Sequence, residues 1–474
     1  MSNNVMQELA KTAFRDLAVT QSTPTIKGSS QYGILNEVVP ISSLGGSAIS
    51  QNSLFSCSSG TSQGGFGAIS LDGAMPFRPG QGEKDLFTAR FSEGQVGSEQ
   101  FAGAINANSG GGWGYNGTEF GILLRFGGAI VIQELTVTGA AGGAENATVT
   151  IDGTEYTVPL TAGTVQHNAS EIADSLTTQV PLWFFEQVDD QVIVTSLISA
   201  PATGAFTFSS STAIAAFVEV AAGVLPTDIW TPQYHDDPEK RWNGEPMPEL
   251  NPNLINNYKI QFGPSVGFFS VFSTVTNEYV LVHTINENNT STGVLIENPT
   301  FGHSWYALNR AGTSNVTTEG TFAGLYREGK DTITKATDSI HAEVTAGTTE
   351  VPMFSLKSRG SINSVINEAS AIIKSIQVAS DSTKPIIATL TTGGTLTGAN
   401  WQYIDENNST LLIDESATAI TGGKHISITG FEVINSSELD SELRRGDIFT
   451  LSVNVASGGG SSSFSGVITY LEDL

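Results

Sequence analysis

The stretch QFGPSVGFFSVF, residues 261–272, holds Gly263-Pro264-Ser265-Val266-Gly267, which fits the G-x-S-x-G pattern of serine hydrolases. That chemistry needs a strand, a sharp turn and then a helix, so that the hydroxyl stands exposed at a helix start. Upstream, Tyr258, Ile260 and Phe262 alternate with Lys259 and Gln261, the pattern of a half-buried strand. Downstream come Phe268, Phe269, Val271, Phe272, Val275, Tyr279, Val280 and Val282, aromatic and β-branched, with no 3.6-residue stripe. The reading is strand, turn, strand. Ser265 is a hairpin residue, not a nucleophile.

The bulk composition points the same way. The chain has 474 residues, 51 of them glycine, with 39% hydrophobic and only 14% charged residues. Ser, Thr, Asn and Gly dominate the polar fraction, which suits many short strands joined by turns and lacks the Glu, Lys, Arg and Leu that fill surface helices. This length predicts several domains of a mainly β protein.

Net charge is −26 with 21 basic residues and no basic cluster. Nucleic acid needs a basic footprint to neutralise phosphates, and an anionic membrane would repel the chain, so both are excluded as partners. The lone Cys57 excludes a disulfide framework and a cysteine-rich zinc site. The polar, charged N-terminus and the lack of any long apolar run predict synthesis in the cytoplasm without a signal peptide or membrane insertion.

Residues 1–20 read as an amphipathic helix with Val5, Leu9, Phe14 and Leu17 on its apolar side, docking on its own chain or anchoring it to a partner. Residues 21–83, rich in Ser, Gly and Gln, read as an extended arm. Residues 84–133 and 224–328 carry strong strand patterns and read as one discontinuous β-sandwich. Between them, 134–223 reads as an inserted α+β domain: a hairpin turning at Asp152-Gly153, a helix capped by Asn168 with Glu171 in the capping-box position, and a second hairpin at Asp189-Asp190. Residues 329–354 read as a linker with one or two strands, and 355–474 as a C-terminal β-sandwich.

Other motifs carry little chemistry. Gly112-Trp113-Gly114-Tyr115-Asn116-Gly117 fits G-x-G-x-x-G, but TEFGILLRF follows as a strand where a dinucleotide site needs a helix. It reads as a Gly-rich hairpin loop that exposes Trp113 and Tyr115, the best candidates for stacking on a sugar ring. The cluster His235-Asp236-Asp237 reads as a solvated turn, and Asp405-Glu406-Asn407-Asn408 as a polar hairpin tip without EF-hand spacing. No catalytic residue, metal or cofactor is assigned.

The segment YKIQFGPSVGFFSVFSTVTNEYVLVHTI, followed by NPTFGHSWYALNR, resembles a concanavalin-A-like jelly roll. It lacks the metal constellation of legume lectins. ATVTIDGTEYTVPLTAGTVQHNASEIADSL is similar to hairpin–helix modules of tailed-phage virion proteins, and residues 375–423 resemble repeats in structural proteins of phages and large DNA viruses. The resemblance implies a non-enzymatic virion surface protein of fibre, spike or decoration type, assembled in the host cytoplasm and attached through residues 1–82. Its partners would be itself, as a homotrimer, and other virion proteins. A carbohydrate-binding adhesin for host attachment is the alternative, with host surface glycans as ligand, and a polysaccharide depolymerase comes third.

Overall fold

A computed structural model describes residues 25–473 except 35–37, 72, 76–81, 107, 181, 264–265, 287–299, 329–337, 363–364, 368, 432 and 459. The helix expected over residues 1–20, with Val5, Leu9, Phe14 and Leu17, lies outside the described residues. So does Ser265. The fold is mainly β, and the chain divides into two compact units: Met1–Gly128 with Pro226–Thr332, and Ala129–Leu225 with Ile333–Leu474.

The first unit is a sandwich of two antiparallel sheets. The nine-stranded sheet runs Glu278–Asn286, Val266–Ser273, Asn256–Gly263, Gly82–Phe91, Thr317–Gly320, Leu54–Ser58 and Ser47–Gln51; Phe322–Glu328 also pairs with Gly82–Phe91 and carries Ile26–Ser29. The seven-stranded sheet runs Thr227–Pro232, Glu119–Phe126, Gly110–Asn116, Ser98–Ile105, Gly302–Asn309, Phe66–Leu71 and Val38–Ser43. Period-2 alternation sends Phe87, Ala89 and Phe91 inward from one strand and Trp113 from another. The core between the sheets collects Phe55, Trp113, Tyr258, Phe269 and Trp305. Asn256–Gly263 and Val266–Ser273 form an antiparallel pair with Gly263 opposite Val266, so a strand follows the G-x-S-x-G stretch.

Two sequence expectations are corrected here. Residues 21–83 are not an extended arm, because five strands between Ile26 and Leu71 complete both sheets. In Leu54–Ser58 only Phe55 and Cys57 point inward, and the serines between them hide the alternation. The expected linker 329–354 contains Asp338–Ala346, a strand paired along its length with Ser462–Asp473, and the start of Val351–Ser358, an inner strand of a sheet.

The second unit holds two modules. One stacks a four-stranded sheet (Trp183–Val188, Gln191–Ser199, Ile130–Gly139, Ile214–Ala221), a three-stranded sheet (Thr154–Leu160, Glu145–Ile151, Thr207–Ser209) and the helix Val165–Gln179 around Leu135, Val149, Ile172 and Leu176. Its first hairpin turns at Asp152 and Gly153, both at positive φ (48° and 81°), the backbone of a two-residue type I′ turn. Asn168 does not cap the helix. Thr164 does, accepting a hydrogen bond from His167 N, while Asn168 sits buried one turn in and bonds Ala141 N, Thr161 O and Glu171.

The other module is a sandwich of four- and six-stranded sheets around Phe354, Phe449, Leu451, Phe464 and Ile468. The two modules meet through Val188, Trp401 and Leu412. Gln187 Nε2 donates to Asn400 Oδ1 at 3.1 Å, and Asp189 N to Trp401 O at 2.8 Å. No described helix is long and apolar enough to cross a membrane.

Polar side chains pin the loops of this unit. The Glu145 carboxylate accepts from the hydroxyls of Ser210, Ser211 and Thr212 and from Thr212 N and Ala213 N. These bonds, the Ser210 hydroxyl foremost, hold its pKa down to about 2 from the ordinary 4.5. The carboxylate therefore stabilises the folded loop above pH 4.5, and that contribution disappears as pH falls from 4.5 toward 2. Hydrogen exchange at Thr212 and Ala213, corrected for intrinsic rates, should accelerate through that window, and Glu145→Gln should remove the pH dependence.

Candidate functional site

Strand alternation decides which groups reach the outer face of the seven-stranded sheet. In Gly110–Asn116, Trp113 and Tyr115 face the core, so Gly112 and Gly114 fall on the opposite face. Across the register Gly112 lies beside Gly103 and Leu123, and Leu123 beside Trp230; Gly114 lies beside Phe101, which pairs with Tyr306. The missing side chains leave room for the Phe101 ring, since a Cβ on Gly112 would come within 2.6 Å of it. Phe101 stacks on Tyr306 with centroids 5.0 Å apart and planes 20° apart.

Charged groups flank this aromatic patch. The Tyr306 hydroxyl donates to Glu99 Oε1, while Arg310 Nε and Nη2 donate to Glu99 Oε2 at 2.8 and 2.5 Å. Arg125 grips Asp228 through two bonds of 2.8 Å. Burial and the Glu99 charge push the Tyr306 phenol well up. Burial of Arg125 opposes its charge, but the bond to Asp228, with Tyr306 and Glu99 nearby, raises its pKa further. Glu99 is buried, whereas the Arg310 side chain is 55% exposed and Trp230 is half-buried. The result is a buried aromatic cluster, with Trp230 half-buried against it, edged by two closed arginine–carboxylate pairs. Its accessible groups are the half-buried Trp230 ring and the Arg310 guanidinium, and both carboxylates are already engaged.

The exposure expected for Trp113 and Tyr115 is overturned. Trp113 has no exposed surface and packs against Trp242, Tyr258 and Phe269 at 5.1, 5.2 and 5.8 Å. Tyr115 is buried against Phe91 and Phe120. Alternation of glycine with aromatics is a strand with one bare face, and its composition alone imitates a loop.

Sequence reasoning also missed an acid–histidine pair sealed between the two sheets. Asp85 comes from Gly82–Phe91 and His303 from Gly302–Asn309; Nδ1 and Oδ2 lie 2.7 Å apart, and the two side chains are 1% and 0% exposed. The imidazole packs on Phe87 and Trp305 at 4.6 and 4.2 Å. Burial pushes the Asp85 carboxyl up, more than His303 pulls it down. The inward parity of Asp85 with Phe87 was the one signal for it. This pair faces hydrophobic core and opens on no cleft.

The remaining candidates are local turns. His235 Nδ1 accepts from Asp237 N at 2.9 Å, and Asp237 caps the short turn Pro238–Lys240. Asp405 accepts from the backbone of Asn407 and Asn408. Among the described residues no group of three His, Cys, Asp or Glu side chains is placed to hold a metal.

No family model and no curated protein matches the chain. Among solved structures, a protein from work on endo-acting O-glycanases that human gut microbiota express to initiate mucin breakdown is 8% identical, covering 64% of this chain and 99% of its own, with TM-score 0.27. Lectin I-B4 from Griffonia simplicifolia is also 8% identical, covering 64% of this chain and 100% of its own, at 0.25. A structure of Sulfolobus turreted icosahedral virus is 9% identical over 96% of this chain and 97% of its own, at 0.18. At these identities and scores no activity, ligand or partner passes from them to this chain.

Proposed function

We propose that this chain is a non-enzymatic structural protein of a virion surface, a fibre, spike or decoration subunit completed by assembly. The observation that carries the reading is a largely apolar sheet edge, with Glu219 its single charge, left exposed on a molecule of net charge −26. Ile214, Val218 and Val220 are 63%, 58% and 53% exposed on one strand. Monomeric proteins protect such edges, and assembled ones cover them. Carboxylates such as Glu99 and Glu145 are bound into the structure, which suits a rigid scaffold. Residues 1–20 would attach the subunit to the particle. Deleting them should abolish incorporation into particles while the β units stay folded; incorporation of the truncated chain would overturn the anchoring role.

A second reading rests on the outer face of the seven-stranded sheet, where the half-buried Trp230 packs on the buried cluster of Phe101 and Tyr306 and the exposed Arg310 lies beside Glu99. That combination suits a sugar ring, stacked on an aromatic face and bonded at its hydroxyls. Binding on a glycan array that disappears with Trp230→Ala would establish it, and a blank array would exclude it.

A further inference from the structure

We infer that the edge strand Ile214–Ala221 pairs antiparallel with the same strand of a second copy, joining two four-stranded sheets into one of eight. Among the described residues this strand has a strand partner on one side only, Ile130–Gly139. The sequence IAAFVEVA holds no lysine, arginine or proline, the residues by which proteins usually block an edge. Ala215 and Phe217 turn toward the module's core. Ile214, Ala216 and Val218 form the opposite face, and Val220, at a β-bulge where Gln133 pairs with Glu219 and Ile132 with Ala221, is exposed beside them.

The pattern is self-complementary. A two-fold axis through Phe217 sets Ala216 against Val218 in both directions and brings Ile214 to the bulged Val220, so apolar side chains face each other across the junction. The only charge on the strand, Glu219, then falls opposite Ala215, so the two glutamates avoid each other. The inner face brings the two Phe217 rings together, extending the run in which Phe217 already meets Phe206 and Phe206 meets Trp183. A basic or acidic partner would find no countercharge on this face. A second copy finds its own apolar pattern in register. This two-fold contact differs from the three-fold assembly expected from the sequence, and it rests on the reading of the chain as an assembled subunit.

The test uses the full chain in sedimentation equilibrium. An edge of eight residues lies at the small end of interface size, so dimerisation on the order of 1–10 µM is expected. Val218→Lys, beside Glu134 on the neighbouring strand, should leave thermal unfolding unchanged and shift dimerisation at least tenfold weaker. A wild-type monomer throughout that range, or a dimer indifferent to Val218→Lys, overturns the proposal.

The register has its own check. Mixing Ala216→Cys with Val218→Cys chains should give disulfide-linked pairs containing one of each, in excess of either variant alone; no excess overturns the pairing. Cys57 is buried and does not interfere. Particle incorporation of the wild-type chain separates the two readings: a wild-type monomer that still enters particles defeats only the pairing, and a wild-type dimer absent from particles defeats only the virion role.

Discussion

Trp113→Ala should destabilise the first unit by about 3–5 kcal/mol, the usual cost of removing a fully buried Trp or Phe from a core that collapses only partly. The ring touches Trp242, Tyr258 and Phe269 and belongs to a core to which both sheets contribute. Its loss opens a cavity that rigid strands close poorly. Urea unfolding followed by tryptophan fluorescence measures it; a cost under about 1 kcal/mol would mean that the ring is solvent-exposed after all. Trp230→Ala, at the half-buried sheet edge, should cost far less. A ligand-binding defect in Trp113→Ala would therefore report lost structure and not a lost contact.

The second large effect falls on the sealed pair. Asp85→Ala should cost about 3–5 kcal/mol, because removing one partner of a buried pair leaves the other without compensation. His303 Nε2 already lacks a hydrogen-bond partner, so Nδ1 would become the second unpaired atom of a fully buried ring. Asp85→Asn keeps a polar partner and should cost less. Replacing both residues by leucine should cost less than the sum of the single changes, a coupling that a double-mutant cycle reads. The pH dependence has a definite sign. Because the folded pKa of Asp85 lies above the ordinary 3.8, its contribution is most favourable below 3.8 and declines as pH rises through the raised value. Asp85→Asn should abolish that decline, and strict additivity of the leucine variants would refute the coupling.

The sequence displayed the strands wherever one face was apolar and the other polar. Tyr258, Ile260 and Phe262 show it, as do Ile151 and Thr154 across the Asp152-Gly153 turn. It concealed them wherever the second face was glycine or serine. Gly110–Asn116 and Leu54–Ser58 both bury their alternate residues completely, yet both resemble loops by composition. The aromatic and arginine cluster was illegible for a different reason: Glu99, Arg125, Asp228 and Tyr306 are spread over 208 positions, and only the register of five neighbouring strands assembles them. Pairing between distant segments is decided by the fold, and local pattern does not encode it.

Gly82–Phe91 sits between partners that lie far ahead in the chain, Asn256–Gly263 on one side and Phe322–Glu328 on the other. On the ribosome, at about 5–20 residues per second, that strand waits on the order of tens of seconds for its neighbours to emerge. Throughout that interval Phe87 and Phe91 have no sheet to enter. The newborn polypeptide must be shielded from its siblings, and slow, non-local closure of this kind should make yield in a foreign host depend on chaperone supply more than on final stability.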